Sequence, residues 1–278
     1  MRDELERMID NIPSATREPE DTTDPATGLL ICGKCHTPKQ CRVTLFGTER
    51  LLPCLCQCEQ ERLKAQEAAR QEQERLAKIH RLKANGLQDK ALFAYTFDRD
   101  DGQNPAMKYA RRYVEHWPEM KERGQGLLLW GGVGTGKTFA AACIAHALTE
   151  QSVPVLMTNF SKILNSLSGM FSEDRNKYLA SFNHFSLLII DDLGIERNSE
   201  YALEQVYNVV YSRYLSRLPL IITTNLPLAE LQAPGDLAHA RIYDRVLERC
   251  TPVCFSGKNY RKDNAAANKT EAARLLNE

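Results

Sequence analysis

The sequence has no apolar run approaching the ~18 residues that a membrane-spanning helix requires, which speaks against a membrane partner. It also has no excess of charge: 36 Lys and Arg stand against 36 Asp and Glu, for a formal net charge of +0. Without a global positive field the chain is not drawn to nucleic acid by bulk electrostatics, and only a local basic patch could serve that purpose. The opening stretch MRDELERMID is acidic and amphipathic and does not read as a secretory signal peptide. No internal repeat is visible, and the six histidines are scattered, none in a catalytic constellation. These absences predict a cytoplasmic protein. Disulfides are rare in that compartment, so the nine cysteines point to metal or to burial.

What is present is enough for one sizeable domain and a small accessory one: 278 residues, 43% hydrophobic and 26% charged. Residues 1–28 read as a short helix followed by a flexible linker, NIPSATREPEDTTDPATG. Residues 29–58 hold six of the nine cysteines. From Glu59 to about Ala84 the chain has no Pro or Gly and alternates charge signs, which predicts an exposed helix stopped at Asn85–Gly86. A solvated spacer and an amphipathic partner-binding helix are the two readings of that stretch. From residue 87 onward, apolar runs at 127–131, 153–160, 186–193, 218–225 and 251–257 alternate with helical stretches at 137–150, 161–183, 199–217 and 236–249. Uninterrupted apolar runs suit strands buried on both faces, as in a parallel sheet covered by helices. The predicted division is therefore 1–58, 59–86 and 87–278.

The stretch GGVGTGKT at 131–138 matches G-x-x-x-x-G-K-[ST], directly after the strand LLLW and directly before a helix. Glycines at 131, 132, 134 and 136 let backbone N–H groups turn inward around phosphate oxygens, and the helix start adds partial positive charge. Lys137 is expected to reach the β- and γ-phosphates of ATP, and the Thr138 hydroxyl to ligate Mg²⁺. The expected nucleotide-binding set is Gly131, Gly132, Val133, Gly134, Thr135, Gly136, Lys137, Thr138 and Phe139.

The run LLIIDD at 187–192 places two acids at the C-terminal end of a strand, the edge at which open parallel sheets bind ligands. Asp191 is expected to hold the hydrated Mg²⁺ and Asp192 to polarise an attacking water. Asn225 ends the next strand, where an amide can orient that water, the role of a sensor residue in AAA+ ATPases; ordinary turn chemistry is the bland alternative. Arg241, Arg245 and Arg249 recur every four residues along one helical face, with Arg261 beyond. They read either as a basic solvated surface or as a source of an arginine finger reaching a neighbouring subunit.

CGKC at 32–35 is a C-x₂-C knuckle, and CLCQC supplies three further thiols at 54, 56 and 58. Four thiolates satisfy Zn²⁺, which can organise a segment too small to own a core. The favoured ligands are Cys32, Cys35, Cys56 and Cys58, with Cys54 as a substitute for one of the last two, His36 behind them and Cys41 as a spare. Cys143, Cys250 and Cys254 fall in expected helix or strand and read as core.

GLLLWGGVGTGKT, LLIIDDLG, LIITTN and IYDRVLERC…FSGKNYR together resemble the AAA+ ATPases of the DnaC/DnaI helicase-loader and IstB clade, over residues ~93–262. The resemblance implies an α/β AAA+ P-loop fold: a parallel five-stranded sheet flanked by helices, without a full C-terminal lid, behind a small zinc-binding module and a charged helix. It implies that Arg245 of YDR is the arginine finger acting through self-association, and that Arg261 of NYR is a second sensor contacting nucleotide in its own chain. The helical stretch 161–183 resembles the extra helix of initiator and loader ATPases, near which members line single-stranded DNA. YTFDRDDG at 95–102 is expected beside the adenine. Asp192 departs from the Glu of many AAA+ proteins, and its shorter reach bears on hydrolysis rather than on binding. The implied activity is that of an ATP-hydrolysing helicase loader, docking a replicative helicase through the zinc module and contacting single-stranded DNA. The alternatives are an IstB-like transposition helper on duplex DNA, a P-loop metabolic kinase, and a zinc-bearing adaptor with little turnover.

Overall fold

The computed structural model describes residues 13–45, 47–87, 89–194 and 200–277. The short helix expected at the start of the chain lies outside them. Two compact units divide between Leu76 and Ala77, inside the long charged helix. Among the described residues no helix is long and apolar enough to cross a membrane.

In the first unit, β1 (Thr22–Thr23) pairs with β2 (Leu30–Ile31), and β3 (Gln40–Leu45) pairs with β4 (Thr48–Pro53), both antiparallel. The second hairpin was not expected from the sequence, because polar and charged residues interrupt its apolar pattern. Within the stretch expected to be flexible, the part around residues 18–21 is tied down instead. The buried Asp21 carboxylate accepts hydrogen bonds from Lys39 Nζ at 2.7 Å, Glu18 N at 2.8 Å and Gly33 N at 3.0 Å. The Lys39 ammonium and these amides hold Asp21 at a pKa of about 2, below the usual carboxylate range. Helix α1 (Gln57–Gly86) is slightly longer than expected. Its Arg70–Glu67 and Arg75–Glu72 pairs, each at 2.8 Å, are exposed and in water contribute little beyond solubility.

The second unit is built on five parallel strands in the order β6-β7-β8-β5-β9: Val155–Asn159, Leu187–Leu193, Leu220–Thr224, Gly126–Trp130 and Cys250–Cys254. Successive residues serve opposite faces. Leu127, Leu129, Ile189 and Ile221 pack with helices α2 (Met107–Glu115), α3 (Trp117–Arg123) and α4 (Lys137–Glu150). Leu128, Leu188, Ile190 and Ile222 pack with α5 (Phe160–Ser168), α7 (Glu200–Ser216) and α9 (Leu237–Arg249). Both faces are buried, as the unalternating apolar runs require; each fully buried Leu or Ile contributes roughly 1.5–3 kcal/mol. In α4 the run Ala140–Ala145 is wholly buried, and small side chains let this helix lie close on the sheet.

The helix expected over 161–183 is broken. α5 starts at an Asn159 cap, whose side chain accepts from Lys162 N at 2.8 Å, and stops before Gly169. α6 (Ser172–Ser181) then runs separately into a 3₁₀ turn at Phe182–His184. Glycine and the following non-helical Phe171 account for the break. A short α8 (Leu228–Gln232) precedes α9, and α10 (Tyr260–Asn277) follows the last strand. Cys143 and Cys250 are buried as expected, but Cys254 is exposed: it lies on edge strand β9, whose pattern opens outward at that position.

Arg213 of α7 is 1% exposed, and its guanidinium donates to four carbonyls. Nη1 reaches Phe182 O at 3.2 Å and Phe185 O at 2.9 Å; Nη2 reaches Ser186 O at 3.3 Å and Pro219 O at 2.6 Å. It thereby ties together the segments leading into β7 and β8. Burial lowers its pKa to about 10, so it remains charged at neutral pH. Arg213→Ala is expected to lower stability by about 3 kcal/mol or more, because four buried acceptors lose a charged donor. Arg213→Lys should recover little of this, lacking the fork. The urea midpoint of the full chain, followed by fluorescence of Trp117 and Trp130, measures both; an unchanged midpoint in Arg213→Ala would remove this role.

Candidate nucleotide site and metal centre

Strand β5 ends at Trp130, and the chain turns through 131–136 into α4. Two glycines are required by geometry. Gly131 has φ +138°, and a Cβ there would lie 2.1 Å from Phe255 O; Gly134 has φ +81°, and a Cβ there would lie 2.2 Å from the Asn259 side chain. The helix begins after Gly136 with no side-chain cap, so its first N–H groups and dipole face the loop, an arrangement suited to an anion. Lys137 Nζ donates to Gly131 O at 2.8 Å, Gly132 O at 2.6 Å and Asn225 Oδ1 at 2.8 Å. Burial lowers the Lys137 pKa, while the carboxylates of Asp192 and Asp191 oppose that shift.

Asp191 lies where three elements meet. Thr138 Oγ1 of α4 donates to its two oxygens at 2.9 and 3.1 Å, and Thr223 Oγ1 of β8 donates at 2.6 Å. Burial raises the Asp191 pKa, and the two hydroxyls partly offset that. The β7–β8 register passes from Ile190↔Ile222 to Leu193↔Thr224, so β7 spends one more residue than β8 over this step. This bulge holds Asp192 at φ +60°, with its N–H donated to Thr223 Oγ1 at 2.9 Å. Bulges re-aim side chains, and here the two consecutive acids part: Asp191 turns to Thr138, and Asp192 lines the adjoining cavity.

That cavity, of about 570 Å³, is lined by Val133–Phe139, Asp192, Asn225 and Arg261, and on its apolar side by Ala94, Tyr95 and Met107. The Tyr95 and Phe139 rings lie 5.4 Å apart. The stretch 95–102, expected beside a base, contributes Tyr95, Arg99, Asp100 and Asp101 to the lining. The residues suit a nucleoside triphosphate with a divalent cation: an ammonium and helix start for phosphates, the Thr138 hydroxyl and Asp191 carboxylate as cation ligands, and an aromatic pair for a base.

Thr223, Asn104 and Asn259 were not singled out from the sequence. Thr223 has a signal in retrospect, as the inner polar residue of the TTN strand end; the two asparagines have none. Arg245 lies outside the cavity lining. It stacks on α7 of its own chain, 5.1 Å from the Tyr207 and Tyr211 ring centres and 5.8 Å from Tyr214, with Nη1 donated to Arg241 O at 2.7 Å. Arg249 shares Tyr214 at 4.9 Å, while Arg241 is exposed.

In the first unit, the structure brings together Cys32, Cys35, Cys56 and Cys58, with all four sulfurs within 4.8 Å of one another. The Cys58 sulfur lies 3.6 Å from Cys32 Sγ and 3.4 Å from Cys56 Sγ. A tetrahedral zinc site with ~2.3 Å bonds has edges of about 3.8 Å, so the donor set fits that ion. Hydrogen bonding from Thr37, then from the Cys58 backbone, lowers the Cys35 pKa to about 5, and the neighbouring sulfurs, Cys56 first, push Cys58 up to about 12. Cys54 is outside the group, donating to Pro38 O at 3.5 Å; Cys41 and His36 are outside it too.

Residues 56–268 match the family described as IstB-like ATP binding protein. The chain is similar to the replicative helicase loader DnaI of Bacillus subtilis, 27% identical over 188 residues, covering 61% of this chain and 59% of the relative. It is also similar to the replicative helicase loader DnaC of Escherichia coli K12, 28% identical over 165 residues, covering 58% and 65%. An insertion-sequence ATP-binding protein of Sinorhizobium fredii is 27% identical over 188 residues, covering 66% and 62%. The chain thus spans about three fifths of the length of these curated relatives. Among solved structures, the crystal structure of DnaI superposes with a TM-score of 0.53 at 24% identity, covering 62% of this chain and 93% of that one. The DnaC helicase loader superposes at 0.51 and 22%, covering 60% and 100%. These likenesses bear on the fold, which is that of an AAA+ domain.

The purified chain is expected to carry one zinc per molecule by elemental analysis. Cys56→Ser or Cys58→Ser should lose most of it, and Cys54→Ser should keep it. Zinc lost in Cys54→Ser but retained in Cys58→Ser would reassign the ligands.

Proposed function

Because the chain belongs to the IstB-like ATP-binding protein family, we propose that it is an ATP-hydrolysing loader of a replicative DNA helicase, docking the helicase through its cysteine unit and contacting single-stranded DNA through its ATPase domain. The observation that carries this reading is the four-cysteine cluster in a separate compact unit, starting ahead of the family match at residue 56. The nucleotide chemistry is complete without that unit, so it serves something other than hydrolysis. Curated relatives named as helicase loaders support the same assignment.

In this reading Lys137 and the loop N–H groups hold the phosphates, Thr138 and Asp191 ligate Mg²⁺, and Asp192 and Asn225 orient and polarise the attacking water. Arg261, at the rim of the same cavity, senses the nucleotide within the chain. Arg245 acts on a neighbouring molecule's nucleotide, leaving its tyrosine platform to do so. Each cation–π contact is worth only roughly 0.5–1 kcal/mol at an accessible site, a modest restraint on that movement.

A second reading is favoured by the family match itself and by the insertion-sequence relative: a transposition helper that assembles on duplex DNA. The two differ in which DNA engages the protein. Loading of a replicative helicase onto single-stranded DNA in the presence of ATP supports the first. ATP-dependent filaments on duplex DNA without helicase binding would overturn it in favour of the second.

Lys137→Ala is expected to abolish nucleotide binding or turnover. Arg245→Ala should bind nucleotide normally but lose assembly-stimulated hydrolysis on the order of 10³-fold. Steady-state hydrolysis across a protein concentration series measures this; normal stimulated turnover in Arg245→Ala would remove the finger assignment.

A further inference from the structure

The carbonyls of the phosphate loop are all engaged. Lys137 takes Gly131 O and Gly132 O, and Ala140 N takes Gly136 O at 2.9 Å. The three between them are bound by groups from distant parts of the chain. Asn259 Nδ2 donates to Val133 O at 2.9 Å, Tyr260 N donates to Gly134 O at 2.9 Å, and Asn104 Nδ2 donates to Thr135 O at 2.8 Å. None of these bonds uses a loop N–H.

The two asparagines work alike. Asn104 Oδ1 accepts from Ala106 N at 2.9 Å at the start of α2, and Asn259 Oδ1 accepts from Lys262 N at 3.1 Å at the start of α10. The Asn259 oxygen thus caps a helix and the Asn104 oxygen closes the turn just before one, while each grips the loop with its nitrogen. Tyr260 Oη, donating to Asp101 Oδ1 at 3.1 Å, joins the two gripping segments beside the cavity. At Gly134 the approach is so close that any side chain would collide with Asn259.

We infer that Asn104 and Asn259 are positioning residues for the nucleotide: by drawing two loop carbonyls outward, with Tyr260 N holding the one between them, they turn the loop N–H groups toward the phosphates, and they make nucleotide affinity depend on the docking of α10. This rests on the reading of the loop as the nucleotide site. A peptide unit cannot present its N–H and C=O on the same side, so fixing the carbonyls orients the donors that cradle phosphate. Linkage is reciprocal: if docked α10 favours bound nucleotide, bound nucleotide favours docked α10 to the same degree.

The test uses the full chain with mant-ADP and Mg²⁺. Asn259→Ala removes both grip and cap. Asn259→Ser keeps a capping oxygen on a side chain too short to reach Val133 O. Both variants are expected to bind mant-ADP about three- to ten-fold more weakly, the range for losing one hydrogen bond, with melting temperature in the absence of nucleotide unchanged. In wild type, mant-ADP should slow hydrogen exchange at 258–264, and this protection should be lost in Asn259→Ser. Wild-type affinity in Asn259→Ser, with weakening confined to Asn259→Ala, would make the residue a helix cap only and overturn the inference. Binding by wild type with unchanged affinity in both variants would overturn it alone, whereas no binding by wild type would overturn the nucleotide site itself.

Discussion

The carboxylate of Asp191 is the joint on which the AAA+ domain depends. It belongs to β7, accepts from Thr138 at the start of α4 and accepts from Thr223 of β8. A strand, its neighbour and the helix leaving the phosphate loop are thus held by one group, and the spacing of Lys137, Asn225 and Asp192 follows from it. The group is half-buried, and the loss of water around it disfavours its charged form. Two hydroxyl donors supply part of what water would otherwise provide. A half-buried carboxylate with converging donors and the sheet's carboxyl edge alongside is a site whose electrostatics are set more by fixed protein groups than by water.

The two units are organised by different physics. In the AAA+ domain both sheet faces are covered, and residues such as Leu128, Ile189 and Ile222 are fully buried. Among the described residues of the first unit, the buried apolar positions are Leu30, Cys32 and Cys56, two of them sulfur donors. So small an interior cannot balance the entropy of ordering its chain. The Asp21–Lys39 pair and the four sulfurs take that place, and binding of a metal there would be inseparable from folding.

Local and periodic features were legible in the chain, and long-range ones were not. Gly131–Thr138 could be read because the phosphate loop is a contiguous motif with fixed flanks. The strands could be read because burial on both faces leaves uninterrupted apolar runs, and their ends shifted by no more than three residues. The break between α5 and α6 hinged on Gly169, which in a mostly helical pattern carries too weak a penalty to be decisive. The β3–β4 hairpin has no apolar run to announce it. Cys254 looked like core because strand character says nothing about which face an edge strand leaves open. Asn104 and Asn259 lie 31 and 126 residues from their loop partners, and nothing local marks a polar residue for a contact of that range. The separation of Asp191 from Asp192 depended on a bulge that two adjacent identical letters cannot reveal.

The left-handed backbone at Asp192 limits which side chains the position accepts. That conformation is open to glycine and, among residues with side chains, most readily to asparagine and aspartate. The longer acid found at this place in many AAA+ proteins would have to adopt a conformation it rarely visits. While the bulge persists, backbone conformation alone admits Asp, Asn or Gly at this position more readily than Glu. The short acid is matched to the backbone here, and a longer side chain would bring conformational strain unless the strand were first straightened.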